Sequence, residues 1–335
     1  MMHRSLCLLV ATLTILLSSA PTRADALLYA LLDPNDSAST AQHYLANPIV
    51  DGIAIRTSWA ALEPAEGLYD WNALDALLRQ TQAGGKKASL HIIASSYAQP
   101  PRWLMQRGVQ TYTESMPFQS NRPTQTQPLP WDPQYISAWT NFTAALGQHL
   151  RQSGYINTIS HISVAVPVPE MSLFGCRHGL IDNIPYRRDN YLNAWETSIA
   201  AMHAALPEVT KLISAPVSHI CMPDNDGAAF FGQLWNYSLN LAPDKFSIFA
   251  ADLNALGSAR MSNLGSTTSN AAASFQFIFS YSQDPQNRFK GRLSEAICKA
   301  TRQYDARYFE TYKQDLDNPA VQSDLNLIHH PELCR

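Results

Sequence analysis

Eight short apolar runs punctuate the chain, at 27–33, 52–59, 87–95, 159–166, 211–218, 246–253, 275–282 and 306–312, and each is followed by a more polar stretch with helical spacing. Runs that are apolar at nearly every position suit strands covered on both faces, and the interleaved helical patterns make them βα units. In 71–82, Trp71, Leu74, Leu77 and Leu78 share one helical face, and Gly84-Gly85 closes the segment. Asp132-Pro133 opens a helix over 136–150 with an acidic N-cap and a proline in the first turn, and Asn318-Pro319 opens the last helix in the same way. Eight strand-helix repeats predict an α/β fold of the (β/α)8 (TIM) barrel type rather than an open doubly wound sheet. No GxGxxG follows the first strand, and Gly84-Gly85-Lys86-Lys87 is not a P-loop. The longest connection, 96–133, follows the third strand on the face where such barrels carry their sites, and 175–188 and 219–227 rim the same face.

The first residues stand apart from this rhythm. Arg4 precedes an apolar run over 6–17 and then small residues, with Thr22 and Ala24 at the positions that a signal peptidase reads. The layout predicts a signal peptide over 1–24 and one domain over 25–335, secreted or periplasmic. The run is shorter than the about 20 residues that span a bilayer, so no membrane association is expected after cleavage. With 24 Lys+Arg against 27 Asp+Glu and only 15% charged residues, the composition excludes an electrostatic nucleic-acid binder. Loss of the leader would make the net charge −5, since it carries Arg4, Arg23 and no acid. Four cysteines would remain, an even number in an oxidising compartment. Placement relative to the strands favours Cys176–Cys221, in neighbouring loops, and Cys298–Cys334, tying down the chain's last turns. No CxxC or HxxxH spacing suggests a metal, and no cofactor motif is present.

The stretch from Asp51 to Leu104 contains W-A-A-L-E-P-A-E-G-L-Y-D-W over 59–71. It resembles the second and third βα units of the cellulase- and β-galactosidase-like (β/α)8 glycoside hydrolases. The resemblance is moderate over 131–170 and weak in the last third. It implies a carbohydrate substrate, a mainly structural role for Glu63-Pro64 and Tyr69-Asp70-Trp71, and a site-facing His91 on the third strand.

Glycoside hydrolysis needs two carboxyls, one protonated to assist the leaving group and one ionised to attack or to activate water. The resemblance puts the acid/base at the end of strand four, where this chain offers Glu170, preceded by Pro169 in place of the usual Asn. It puts the nucleophile at the end of strand seven, where this chain offers Gln276 and no glutamate. Strand eight carries Glu310 among aromatic residues in RYFETYKQD, where an exposed helical position is a poor explanation. Glu310 therefore ranks first as the second carboxyl and Asp284 a distant second, with Arg56 on strand two as an expected partner. Strands four and eight lie opposite each other in a barrel. A pair about 5–5.5 Å apart would retain configuration and one about 6.5–9.5 Å apart would invert it, and both remain open.

Trp59, Trp103, Trp131, Tyr97, Tyr112 and Phe174 fall at strand ends or in loops of the presumed active face, where rings can stack on sugars. With Arg56, His91 and Gln276, the residues Trp59, Tyr97, Trp103 and Trp131 make up the expected substrate-binding set. Trp71, Trp139 and Trp195, at helical spacing, read as core. No GxSxG elbow appears. Two functions fit: a glycosidase with the pair Glu170 and Glu310, or a barrel that binds polysaccharide without cleaving it.

Overall fold

The computed structural model describes residues 26–94, 100–114, 125–164, 187–215, 227–265 and 273–334. Ten strands occur among them: β1 Leu27–Leu31, β2 Gly52–Ser58, β3 Lys87–Ile93, β4 Thr111–Glu114, β5 Gln125–Pro128, β6 Ile159–Ser163, β7 Thr210–Ser214, β8 Phe246–Leu253, β9 Ala273–Phe277 and β10 Tyr308–Tyr312. Eight of them close into a parallel barrel in the order β1-β10-β9-β8-β7-β6-β3-β2. These are the eight strands expected from the apolar runs. The other two, β4 and β5, pair as an antiparallel hairpin inside the long connection after β3.

Helices α1 Ala38–Leu45, α2 Trp59–Leu62, α3 Asn72–Ala83, α4 Arg102–Gln106, α5 Pro133–Gln152, α6 Arg188–Ala205, α7 Gly227–Leu241, α8 Ala259–Leu264 and α9 Leu293–Tyr304 lie between the strands. The short α10 Lys313–Leu316 and α11 Gln322–Leu325 follow β10. α5 starts where Asp132 and Pro133 predict, with Asp132 Oδ1 accepting the amides of Gln134 and Tyr135. Gly147 lets α5 meet α6, since a Cβ there would lie 2.4 Å from the Ala205 carbonyl oxygen.

Strand alternation explains why the runs are apolar throughout. Leu28, Ala30, Ile53, Ile55, Leu90, Ile92, Phe275 and Phe309 face the helices in the main core. Tyr29, Leu31, Ala54, Leu212, Phe249 and Tyr308 form a second cluster inside the barrel. The Tyr29 ring claims enough of that interior that a Cβ on Gly52 would sit 2.5 Å from it.

Two boundaries differ from the sequence expectation. The seventh barrel strand ends at Phe277 rather than 282. Buried Asp315 draws the following segment out of the sheet, accepting from Ser280 Oγ at 3.0 Å, the Tyr281 amide at 3.0 Å and the Ser282 amide at 2.7 Å. At Asn318-Pro319 a 3-10 turn forms instead of a full helix. Asn318 does cap it, accepting from the Ala320 amide. The expected Cys298–Cys334 disulfide is present and ties α9 to the end of the chain. Cys176 and Cys221 lie outside the described residues. No helix among the described residues is long and apolar enough to cross a membrane.

Candidate active site

In β10 the sequence Tyr308-Phe-Glu-Thr-Tyr312 alternates between the helix layer and the barrel interior, so Tyr308, Glu310 and Tyr312 share the inner face. Glu310 is wholly buried. Its Oε1 accepts from the Tyr308 hydroxyl at 2.6 Å and pairs with His91 Nε2 at 2.6 Å, across the barrel from β3. Ser89 Oγ lies 3.3 Å from the same His91 nitrogen. The other oxygen, Oε2, is buried and has no hydrogen-bond partner among the described residues. Burial and the adjoining Glu310 carboxylate push the Tyr308 phenol well above its ordinary pKa, which keeps it a donor.

The strand register sets a second group beside the first. Arg56 is the neighbour of His91 across β2 and β3, and Gln276 is the neighbour of Glu310 across β9 and β10. Arg56 Nη2 donates to Gln276 Oε1, bridging the barrel interior from β2 to β9. That contact fixes the amide orientation, so Gln276 Nε2 donates to the Tyr312 hydroxyl at 2.9 Å. Burial raises the Tyr312 phenol above its usual pKa. Arg56 Nε is buried with no partner among the described residues. Deeper in the barrel, His161 on β6 packs its ring 4.5 Å from that of Tyr308. Burial, with His91 nearby, pushes His161 down to about 3, which keeps it neutral.

Four of the residues expected from sequence are thus brought together: Arg56, His91, Gln276 and Glu310. One expected contact changes. Arg56 does not partner Glu310; it binds Gln276, and Glu310 is held by His91 and Tyr308 instead. Tyr308 and Tyr312 were not singled out from the sequence, although the period-two spacing around Glu310 carries them. Asp284 is engaged elsewhere, accepting the Phe289 amide at 2.7 Å.

The aromatic expectations divide. Trp59 is no sugar platform, because its ring is buried in the main core, on the helix side of the barrel. Its Nε1 donates to Glu63 Oε2 at 2.7 Å, and Trp103, Tyr135, Trp139 and Phe142 surround it. Glu63 also accepts the Gly67 amide at 2.9 Å, so the W-x-x-x-E-P segment is a structural brace, as its resemblance implies. Trp103 is half-buried, with Nε1 donating to the Glu63 carbonyl. Trp131 is half-buried in a T-shaped contact with Tyr191. Tyr112 is buried in β4, and Trp139 and Trp195 are core residues as expected. Trp71 is half-buried rather than core, stacked between Tyr69 and His149. Glu170, Tyr97 and Phe174 lie outside the described residues. No group of three or more His, Cys, Asp or Glu among the described residues is placed to hold a metal ion.

Comparison with known proteins agrees with this architecture. Residues 45–163, which carry β2, β3 and β6, match the family model of the glycoside hydrolase family 42 β-galactosidases. No curated protein matches the chain in sequence. Among solved structures, a psychrophilic glycoside hydrolase family 10 endo-β-1,4-xylanase superposes with a TM-score of 0.54 at 12% identity, over 88% of this chain and 89% of that one. A family 10 glycoside hydrolase from Paenibacillus barcinonensis superposes with a TM-score of 0.52 at 13% identity, over 92% of this chain and 96% of that one. At such identities the structural likeness speaks for the fold. The chain is thus a (β/α)8 barrel whose second, third and fourth barrel strands are similar to the glycoside hydrolase family 42 model.

Proposed function

We propose that the protein hydrolyses O-glycosidic bonds of an oligo- or polysaccharide outside the cytoplasm, with Glu310 as nucleophile or general base and Glu170 as general acid. The observation that carries this reading is the asymmetry of the Glu310 carboxylate. Oε1 is anchored by two donors, whereas buried Oε2 keeps its lone pairs free. A carboxylate held by one oxygen is oriented for attack, or for taking a proton, through the other. The second acid comes from the sequence, since Glu170 follows the fourth barrel strand. Whether the pair retains or inverts depends on the spacing of Glu170 and Glu310.

A second reading rests on Gln276. A neutral amide occupies the strand-seven position at which the resemblance expects a nucleophile, which favours a barrel that binds polysaccharide without cleaving it. Reducing-end release from a panel of plant and bacterial polysaccharides separates the two. Glu310→Gln and Glu170→Gln should each abolish most release while leaving circular dichroism unchanged. Undiminished turnover in either variant would overturn that residue's assignment. Oligosaccharide binding with no product from the unmodified protein would establish the second reading.

A further inference from the structure

Arg56 carries a positive charge for which no carboxylate among the described residues is the direct partner. Among the described residues its one hydrogen bond goes to the neutral amide of Gln276, and its Nε is buried with no partner there. A half-buried guanidinium left in that state loses hydration without recovering it from the protein. The relay continues from it: Arg56 donates to Gln276, Gln276 donates to the Tyr312 oxygen, and the Tyr312 O–H is left to donate onward. Chains of hydrogen bonds that run in one direction polarise their terminal donor. A second guanidinium, Arg288, lies 3.6 Å over the Phe279 ring, which itself packs against Tyr312. Its ion pair with Asp284 is open, at 3.7 Å with no hydrogen bond formed by Arg288 Nε or Asp284 Oδ1.

Donors therefore gather around Tyr312, which shares the inner face of β10 with Glu310, where a neutral sugar would need a balance of donors and acceptors. We infer that Arg56 and Tyr312 form a subsite for a sugar carboxylate, so that the preferred glycan contains uronic acid residues. This inference rests on the glycosidase-site reading above. A carboxylate would satisfy Arg56 Nε and the Tyr312 hydroxyl together through charge-assisted hydrogen bonds, which neutral hydroxyls form only weakly. Glu310 Oε1 is already engaged by His91 and Tyr308, so the sugar carboxylate would meet the donors of Arg56 and Tyr312 instead.

Affinity electrophoresis through gels containing polygalacturonate, alginate, glucuronoxylan or hyaluronan tests the subsite, with each polymer also used after carbodiimide-borohydride reduction of its carboxyls. At least one acidic polymer should retard the protein, and its reduced form should bind at least tenfold more weakly. Arg56→Gln should lose this preference, and Arg56→Lys should restore part of it. The inference is overturned if no acidic polymer retards the protein, if reduced polymers bind as tightly, or if a folded Arg56→Gln variant keeps the preference. Reducing-end release assayed on the same polymers keeps the two ideas apart. Cleavage without regard to carboxyls sinks the subsite and leaves the glycosidase. Carboxyl-dependent binding with no cleavage does the reverse.

Discussion

His91 Nε2 and Glu310 Oε1 meet 2.6 Å apart inside the barrel, from strands separated by two others, with both side chains essentially inaccessible to water. The contact makes Glu310 part of the scaffold as well as a candidate reactive group. A carboxylate buried this deeply persists only where donors replace the water it has lost. His91 and Tyr308 supply those donors on one oxygen, and the asymmetry so created is what the functional reading uses.

Replacing His91 by Ala should therefore act on stability and on chemistry together. Removing one partner of a buried pair leaves the other exposed to its full desolvation penalty, about 3–5 kcal/mol. Chemical denaturation should register that loss. In steady-state kinetics kcat should fall far more than KM rises, and the pH profile of kcat/KM should move, because His91 positions Glu310 rather than the sugar. Unchanged stability and an unchanged profile would mean that the contact does not hold Glu310.

Trp59 yields the opposite expectation. With its ring enclosed by Trp103, Tyr135, Trp139 and Phe142, and its indole N–H spent on Glu63, it has no face to offer a ligand. Trp59→Ala should lower unfolding free energy by about 3–5 kcal/mol. Trp59→Phe should lose less, while KM for any substrate stays within about twofold, since no ligand contact is removed. A large rise in KM at full stability would return Trp59 to the binding surface.

The barrel was legible because its strands are mainly apolar, and that signature survives in a single sequence. Glu310 was legible for a related reason: an acid in Y-F-E-T-Y has no solvent face to occupy. What escaped was set by distant contacts. Arg56 reaches Gln276 across two intervening strands, and no local spacing encodes the bridge. Trp59 and Glu63 are one helical turn apart and can be paired from sequence, but the arrival of α5 that seals the Trp59 ring cannot. The seventh barrel strand was drawn too long because the acid that ends it, Asp315, lies more than thirty residues later in the chain.

Reduction of Cys298–Cys334 provides a separate check on the C-terminal packing. The bridge closes a loop with a sequence separation of 36, for which the chain-entropy model gives about 3–4 kcal/mol. Cys334→Ser should lower the thermal midpoint without altering activity at 25 °C, because the bridge joins α9 to the chain's end and not to the site residues of β10. Loss of activity at full folding would contradict that separation.

Lys211 sets the final prediction, at the barrel's opposite end. Its side chain is fully buried, with Nζ donating to the carbonyls of Leu206 at 2.6 Å and Val209 at 2.7 Å, and lying 3.2 Å from His203 Nδ1. Burial, and next the charge of Lys245, push its ammonium down to about 8 from the ordinary 10.5. Between those two values the unfolded chain binds a proton that the native protein has released, so unfolding free energy must rise with pH across that window. Below about pH 8 the ammonium is charged in both states, and the native protein bears the full cost of burying it. The rise contributed by this one residue is about 3 kcal/mol, taking 1.36 kcal/mol per pKa unit. Lys211→Met removes the titrating group, so urea unfolding from pH 7.5 to 10.5 should give a wild-type-minus-variant difference that climbs with pH and levels off above 10.5. A flat difference would show that Lys211 keeps its proton throughout, with the two backbone carbonyls enough to hold the charge in place.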